Sequence, residues 1–286
     1  MIGQDDKVLR VGLLPLGFFF CLLFVFPLGM FLWTSFTVKT DTSTVLTLQH
    51  YVDVLTSDSA RAALVTTLLL SVVTGVVSLL LGYLLAYQVA RRGPVLSKLI
   101  FMAAIASLFT STIARALGWR VLLAYQGPIN GVLVGLGIVS EPLQLINNFT
   151  AVAIGMIHIQ TPIVMLALIP VIEALPKDLE RAAIGLGSSR WRAFVSIHLP
   201  ITWRNAVPIG LLTVMATASY FTTPVLLGGG RVDVMAIQIQ QASQVLFDFG
   251  YAAALSVVLV AVIGVIAFLV FLSTNWRRGA AARGGS

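Results

Sequence analysis

The hydrophobic positions of this chain fall into six long runs separated by shorter polar breaks. The runs cover about residues 11–36, 62–90, 99–123, 150–172, 205–227 and 251–272. Each reaches the 20 or so apolar residues that an α-helix needs to cross a bilayer. None shows the period-two alternation of a membrane strand, and all are too long for one. In lipid the backbone has to satisfy its own hydrogen bonds, which selects helices. The pattern predicts an all-α integral membrane protein with about six transmembrane helices over residues 1–276, followed by a disordered Gly/Ala/Arg tail at 277–286. The first run follows Lys7 and Arg10, as the core of a signal peptide would. It is longer than such a core, and Trp33 and Phe36 stand where a small-residue cleavage site would be, so it is expected to be retained.

The polar breaks are unequal. Residues 37–61 predict a short helix near His50–Leu55. Residues 124–148 are Gly-rich and mildly apolar, which suits a short helix lying on the outer surface, and residues 228–249 begin with three glycines. The break between the fourth and fifth runs is the long basic one, EALPKDLERAAIGLGSSRWRAFVSIHLP over 173–200. Pro176 can open a helix, and Lys177 to Ile184 favour one. Gly185 and Gly187 interrupt it, Ser188 and Ser189 can cap a second helix through Val195, and Pro200 is expected to end that. Two short helices about a glycine-rich bend follow, with Ala182 and Ala183 forming a small, flat surface. Such a hairpin either packs on its own bundle or is read by another protein.

Composition agrees with the pattern. Of 286 residues 58% are hydrophobic and 10% charged, against about 25% charged in a soluble domain, and mean hydropathy is +0.97. With both termini inside, thirteen of the 18 Lys and Arg residues share one side with the 173–204 break. By the positive-inside rule that side is the cytoplasm. The rule accounts for the net charge of +7 without nucleic acid, since no soluble basic domain is present. The single cysteine, Cys21, excludes an intrachain disulfide.

Catalytic chemistry is not indicated. No Gly-Lys pair occurs, so there is no phosphate-binding loop, and Gly228–Gly230 leads into Arg-Val-Asp instead. His50, His158 and His198 lie in three regions without metal-ligand spacing. No nucleophile–base set or carboxylate pair converges. The chain is therefore expected to be no enzyme and to bind no metal or cofactor of its own. No acidic residue lies deep in a run, which weighs against an ion-coupled transporter. Polar residues that do enter the runs cluster on three of them. The third carries Thr110, Ser111 and Arg115, with Trp119 nearby. The fourth carries His158, Gln160 and Thr161 before Pro162, and the fifth Thr217, Tyr220 and Thr223 before Pro224. They either glue helices together and bond back to their own backbone or line a shared polar pathway. For Arg115, snorkelling to the interface competes.

The long break carries a resemblance. Arg181-Ala182-Ala183, three residues, Gly187, nine residues, then Ile197-His198-Leu199-Pro200 resembles the EAA loop of inner-membrane permease subunits of binding-protein-dependent ABC importers. One position departs: Arg181 stands where the motif has Glu, with Glu180 just before it. Gly82-Tyr83-Leu84-Leu85-Ala86-Tyr87, Thr110 to Arg115 with Trp119, and Pro224 to Gly229 are similar to the spermidine/putrescine-type permeases. The resemblance implies the type I importer permease fold with both termini cytoplasmic, in a bacterial inner (cytoplasmic) membrane. It also implies partners. These are a cytoplasmic ABC ATPase dimer that uses ATP and Mg, a second permease subunit forming a heterodimer, and a periplasmic or lipid-anchored solute-binding protein. The ATPase would receive a helix over about Leu179–Ser189, with Glu180, Arg181, Ala182, Ala183, Gly187, Ile197, Leu199 and Pro200 as the coupling residues. The solute implied is a polyamine. The missing deep carboxylates and the positive Arg115 keep an anionic or zwitterionic solute (phosphonate, opine, amino-acid derivative) as the alternative within the class, and an ATP-independent secondary transporter or channel as the alternative outside it.

Overall fold

The computed structural model describes residues 15–283 except 41, 42 and 92. Lys7, Arg10 and Arg92, counted above among the inner charges, lie outside the described residues. So do the first residues of the first run and the last three of the chain. In order, the elements are α1 (Pro15–Ser35), β1 (Thr37–Thr40), β2 (Ser43–Leu46), α2 (Gln49–Thr56), α3 (Asp58–Arg91), α4 (Pro94–Phe109), α5 (Thr112–Leu122), α6 (Pro128–Gly135), α7 (Phe149–Glu173), α8 (Lys177–Gly185), α9 (Trp191–Thr217), α10 (Thr222–Gly228), α11 (Met235–Gln240) and α12 (Phe249–Arg283). Helices α1, α3, α7 and α12 are each long and apolar enough to cross a bilayer. The pairs α4–α5 and α9–α10 supply two more crossings if each bent pair counts as one.

The count of about six crossings therefore holds, and two of the six are bent. The third run turns by 105° between α4 and α5, and the fifth by 67° between α9 and α10. Both breaks fall on hydroxyl residues. Thr110 adopts extended torsions, and its Oγ1 donates to the Ala106 carbonyl at 3.1 Å; Ser111 is extended too. Ser219 Oγ donates to the Ala216 carbonyl at 2.9 Å. Side chains that bond to nearby backbone offer it an alternative to the helix. A correction applies at Pro200, which does not end its helix. A π-turn over Phe194–His198 runs directly into the α-helical segment that carries Pro200 in its first turn, where a missing N–H costs little.

Two smaller differences follow. The hairpin of β1 and β2, antiparallel with Thr37 opposite Leu46, was not expected; its Thr- and Val-rich strands are too short to show a pattern. The tail expected to lack regular structure is helical to Arg283, consistent with the high helix propensity of its alanines. The short helices expected near His50–Leu55 and within 124–148 appear as α2 and α6.

Contacts divide the chain into two compact units, Met1–Arg61 with Gln238–Ala261, and Ala62–Ile237 with Val262–Ser286. In the first, Ser35 Oγ and Tyr51 Oη lie 2.7 Å apart, His50 Nε2 lies 3.3 Å from the Thr37 carbonyl, and Gln238 Nε2 donates to Ser59 Oγ at 2.9 Å. His50 is thereby a structural residue. In the second, α3 and α7 pack through Leu79, Tyr83, Ala86, Val164, Met165 and Leu168, with Phe194 and Ala206 of α9 closing the cluster. A further cluster joins Leu70, Val152, Met156, Leu227 and Val234. Asn148, formally a glycosylation site, is the N-cap of α7, its side chain accepting from the Ala151 N–H at 2.9 Å.

Candidate functional site

Two regions hold the residues singled out by sequence. The first is the elbow α8–Gly187–α9. Pro176 precedes α8, and Asp178 and Glu180 occupy its first turn, where carboxylates suit the positive end of the helix dipole. The helix ends in a Schellman arrangement. Gly187 N–H bonds to the Ile184 carbonyl and Ser188 N–H to the Ala183 carbonyl, each at 3.0 Å, with Gly187 at φ +91°. A left-handed residue at this position is the reason for glycine. Ser189 then caps the next helix, its Oγ accepting from the Arg192 N–H at 3.2 Å.

The motif residues separate into two groups. Arg181, Ala182 and Gly187 are exposed and Ala183 is half-buried. Around them Leu186 is 89% exposed and Trp191 71%, so the elbow presents a mixed apolar and basic surface. Among the described residues Arg181 meets Asp178, at 3.4 Å between two exposed side chains, a contact of little weight in water. The second group turns inward. Ile197 and Leu199 are half-buried, and Leu199 packs on the α3–α7 core. Glu180 faces His198 instead of solvent, and Pro200 is exposed on α9.

The second region surrounds the two breaks. Trp119 Nε1 donates to His158 Nδ1 at 3.1 Å, the rings lying edge to face with centroids 5.8 Å apart. This bond leaves the His158 proton for Nε2. Arg115 Nη1 reaches Ser107 Oγ at 3.5 Å across the bend. Trp119, His158, Ser107, Thr161 and Pro162 are among the residues that line a cavity of about 510 Å³ between α3, α4, α5 and α7. Pro162 has no N–H to offer the His158 carbonyl one turn earlier. Gln160 is buried and donates from Nε2 to Tyr220 Oη at 2.9 Å, tying α7 to the second break. The structure thus brings Arg115, Trp119 and His158 into one neighbourhood and makes Gln160 and Tyr220 a pair. Thr217 is buried and bonds back to the Thr213 and Val214 carbonyls; Thr223 is buried beside Gly155. Neither is among the residues lining that cavity. Thr110 and Ser111 are exposed at the first break.

That exposure carries weight. Non-helical backbone at membrane depth is tolerated only where protein covers it or water reaches it. A break with exposed Thr110, Ser111 and His158 therefore belongs to a face that lipid does not cover.

Sequence reasoning overlooked several participants. Arg91, counted only as an inner charge, donates from Nη2 to the Ile172 and Leu175 carbonyls at 3.0 and 2.7 Å. His198 and Tyr87 surround Glu180. Thr67, Ser71, Thr74 and Ser78 form a buried hydroxyl stripe on α3. Thr67 receives the Met235 N–H at 2.9 Å, while the other three hydroxyls have no partner among the described residues. Their helical spacing was legible; the contacts of Glu180 were not.

Comparison with known proteins accords with this architecture. The chain is 29% identical over 259 residues to the spermidine/putrescine transport system permease protein PotB of Escherichia coli strain K12, covering 89% of this chain and 92% of that one. It is 26% identical over 202 residues to PotB of Haemophilus influenzae, 71% of each chain. Its fold matches a chain in the crystal structure of a bacterial ABC transporter involved in the import of the acidic polysaccharide alginate, with a TM-score of 0.82 over 95% of this chain and 96% of that one, at 18% identity. Residues 78–278, which include both bent pairs and the elbow, match the family described as binding-protein-dependent transport system inner membrane component, and the chain belongs to that family.

Proposed function

We propose that this chain forms one half of the solute pathway of an ATP-driven importer and that its solute is a polyamine. The observation that carries the reading is the exposed elbow α8–Gly187–α9. Its apolar tip, Leu186 and Trp191, stands next to helices whose other ends hold the broken spans. A soluble ATPase dimer receives the elbow and supplies ATP and Mg²⁺ chemistry that this chain lacks. A second permease subunit covers the face bearing Thr110, Ser111 and His158, and a solute-binding protein delivers from outside. The location is a bacterial inner membrane, with the elbow in the cytoplasm.

The solute class follows the PotB relatives and has a physical counterpart in the chain. Helices α4 and α9 both end at mid-span breaks, and the C-terminal end of a helix carries partial negative charge. Trp119 supplies an aromatic face for an ammonium group. Carboxylates do not line the cavity among the described residues, so acids for a polycation come from the second permease subunit. Replacing Trp119 by Ala is expected to raise the half-saturating polyamine concentration by about tenfold, in line with a desolvated cation–π contact. Trp119→Phe, which keeps a ring but loses the N–H to His158, is expected to raise it less. The test is uptake of labelled spermidine into proteoliposomes holding the chain with its ATPase, second permease and binding protein. Active transport by a preparation free of any ATPase overturns the importer reading. Uptake of an anionic solute with no response to polyamines overturns the polyamine assignment.

A further inference from the structure

One buried polar contact fastens the elbow to the transmembrane helices. Glu180 projects from α8 toward the bundle, its side chain 15% exposed, and Oε1 lies 2.6 Å from Nδ1 of His198, whose side chain is fully buried. Its second oxygen accepts from Tyr87 Oη of α3 at 3.3 Å. The imidazole is enclosed by aromatic rings, Tyr87 edge-on at 4.9 Å between centroids and Phe194 stacked at 5.9 Å. One turn beyond Tyr87 on α3, Arg91 holds the carbonyls of Ile172 and Leu175 at the end of α7. A single carboxylate therefore joins α8 to α9 and to α3, and α3 is joined in turn to α7.

Local geometry shows how the contact is built. His198 is the last residue of the π-turn Phe194–His198. A π-turn carries one extra residue, which resets the direction of everything after it by about 100° around the helix axis. His198 closes the turn and meets Glu180, and Leu199, the first residue after it, meets the α3–α7 core. Oε1 and Nδ1 sit at ion-pair distance, and neither they nor His198 Nε2 has a hydrogen-bond partner among the described residues, so loss of either group leaves the other buried alone, which is unfavourable.

We propose that Glu180 and His198 are a positioning pair that makes α8 and the cytoplasmic ends of α3 and α9 move as one body. Displacement of the elbow by the ATPase then tilts the broken span α9–α10 directly. The proposal rests on reading the elbow as the ATPase-docking element, and it takes Glu180 out of the docking surface. Arg181, Ala182, Leu186 and Trp191 are left as the residues that meet the partner.

The test uses the full complex, with its ATPase, second permease and binding protein, in proteoliposomes. Uptake and ATP hydrolysis are measured in the same vesicles for Glu180→Gln, His198→Gln and the double variant. Each single change is expected to lower solute imported per ATP hydrolysed by about tenfold, within the range of site-to-site coupling. The double variant should fall no further than the worse single, because both break one contact. If uptake and hydrolysis fall in parallel, leaving the ratio unmoved, the contact is merely structural and the proposal is overturned; independent, multiplying effects overturn it as well. Should the Gln variants fail to assemble, Tyr87→Phe removes a single hydroxyl from the same carboxylate and must still lower the ratio. Cross-linking from Ala182→Cys to the ATPase separates the two layers. No cross-link in otherwise wild-type complex refutes docking at the elbow. A cross-link that persists in Glu180→Gln with an unchanged ratio refutes the positioning pair alone.

Discussion

Replacing Gly187 by valine is expected to reduce uptake by about one to two orders of magnitude, the scale of a lost coupling free energy, while the chain still inserts and purifies. The reason is confined to the backbone. Gly187 sits at φ +91°, and a Cβ added there would meet nothing within 4 Å. No neighbour is displaced; the cost is the left-handed conformation itself, about 1–2 kcal/mol for a residue with a Cβ and worst for a β-branched one. Relief comes by breaking the bonds from Gly187 to Ile184 and from Ser188 to Ala183, which frays the end of α8 and loosens its direction relative to α9. Because these residues project from the bundle, folding of the spans is spared. Three substitutions distinguish backbone strain from a blocked partner groove. Strain predicts that Asn, which tolerates left-handed torsions, is mild, Ala intermediate and Val severe. A steric clash with the ATPase predicts that Asn is as harmful as Val. Uptake by the three variants, normalised to chain recovered in the membrane, decides between them.

Hydrophobic run length made the number and order of the spans readable, because a membrane crossing is set by length and composition, both local properties. It could not reveal that two spans are broken. Thr110-Ser111 and Ser219-Tyr220 were visible as polar insertions, yet a hydroxyl in a helix that bonds to its own backbone looks the same in sequence as one that bends the chain. The elbow was legible for the same reason as the spans: Gly187, Ser189 and the alanines of α8 act locally. Its limits were misjudged at Pro200, since a π-turn leaves no compositional trace. The division of the motif into an outward face and an inward one was also hidden. Glu180 and His198 are 18 positions apart, and only the fold shows that the acid next to Arg181 spends itself on a buried histidine. Arg115, Trp119 and His158 were named separately; that Trp119 and His158 share a hydrogen bond depends on the 105° bend that carries α5 back onto α7.

Gly82→Leu is expected to prevent recovery of folded chain altogether. Here the constraint is the reverse of that at Gly187. A Cβ at residue 82 would stand 2.7 Å from Val164 Cγ1, 3.0 Å from Val164 Cβ and 3.1 Å from the Met165 backbone nitrogen. Two of these atoms are fixed to the α7 backbone and cannot rotate aside. Val164 and Met165 are buried in the central cluster with Tyr83 and Leu168, so α3 and α7 have to separate to admit any side chain. In a membrane the attraction between helices comes from close packing, which small residues permit. Overpacking of this kind costs about 1–3 kcal/mol for modest additions, so Gly82→Ala is expected to lower the thermal midpoint without abolishing folding. Leucine adds three more carbons against backbone and exceeds what the pair can accommodate. Separation of α3 from α7 also pulls Tyr87 and Arg91 away from Glu180 and from the end of α7, so the elbow loses its anchor together with the core. Gly264 of α12 is the control. It is exposed, with no atom within 4 Å of an added Cβ, and leucine there removes a glycine from a helix interior, a gain of up to about 1 kcal/mol in propensity. Gly264→Leu should therefore run as a monodisperse complex at wild-type yield. Equal recovery of Gly82→Leu and Gly264→Leu in detergent would contradict the packing of α3 on α7 from which both the cavity and the elbow are built.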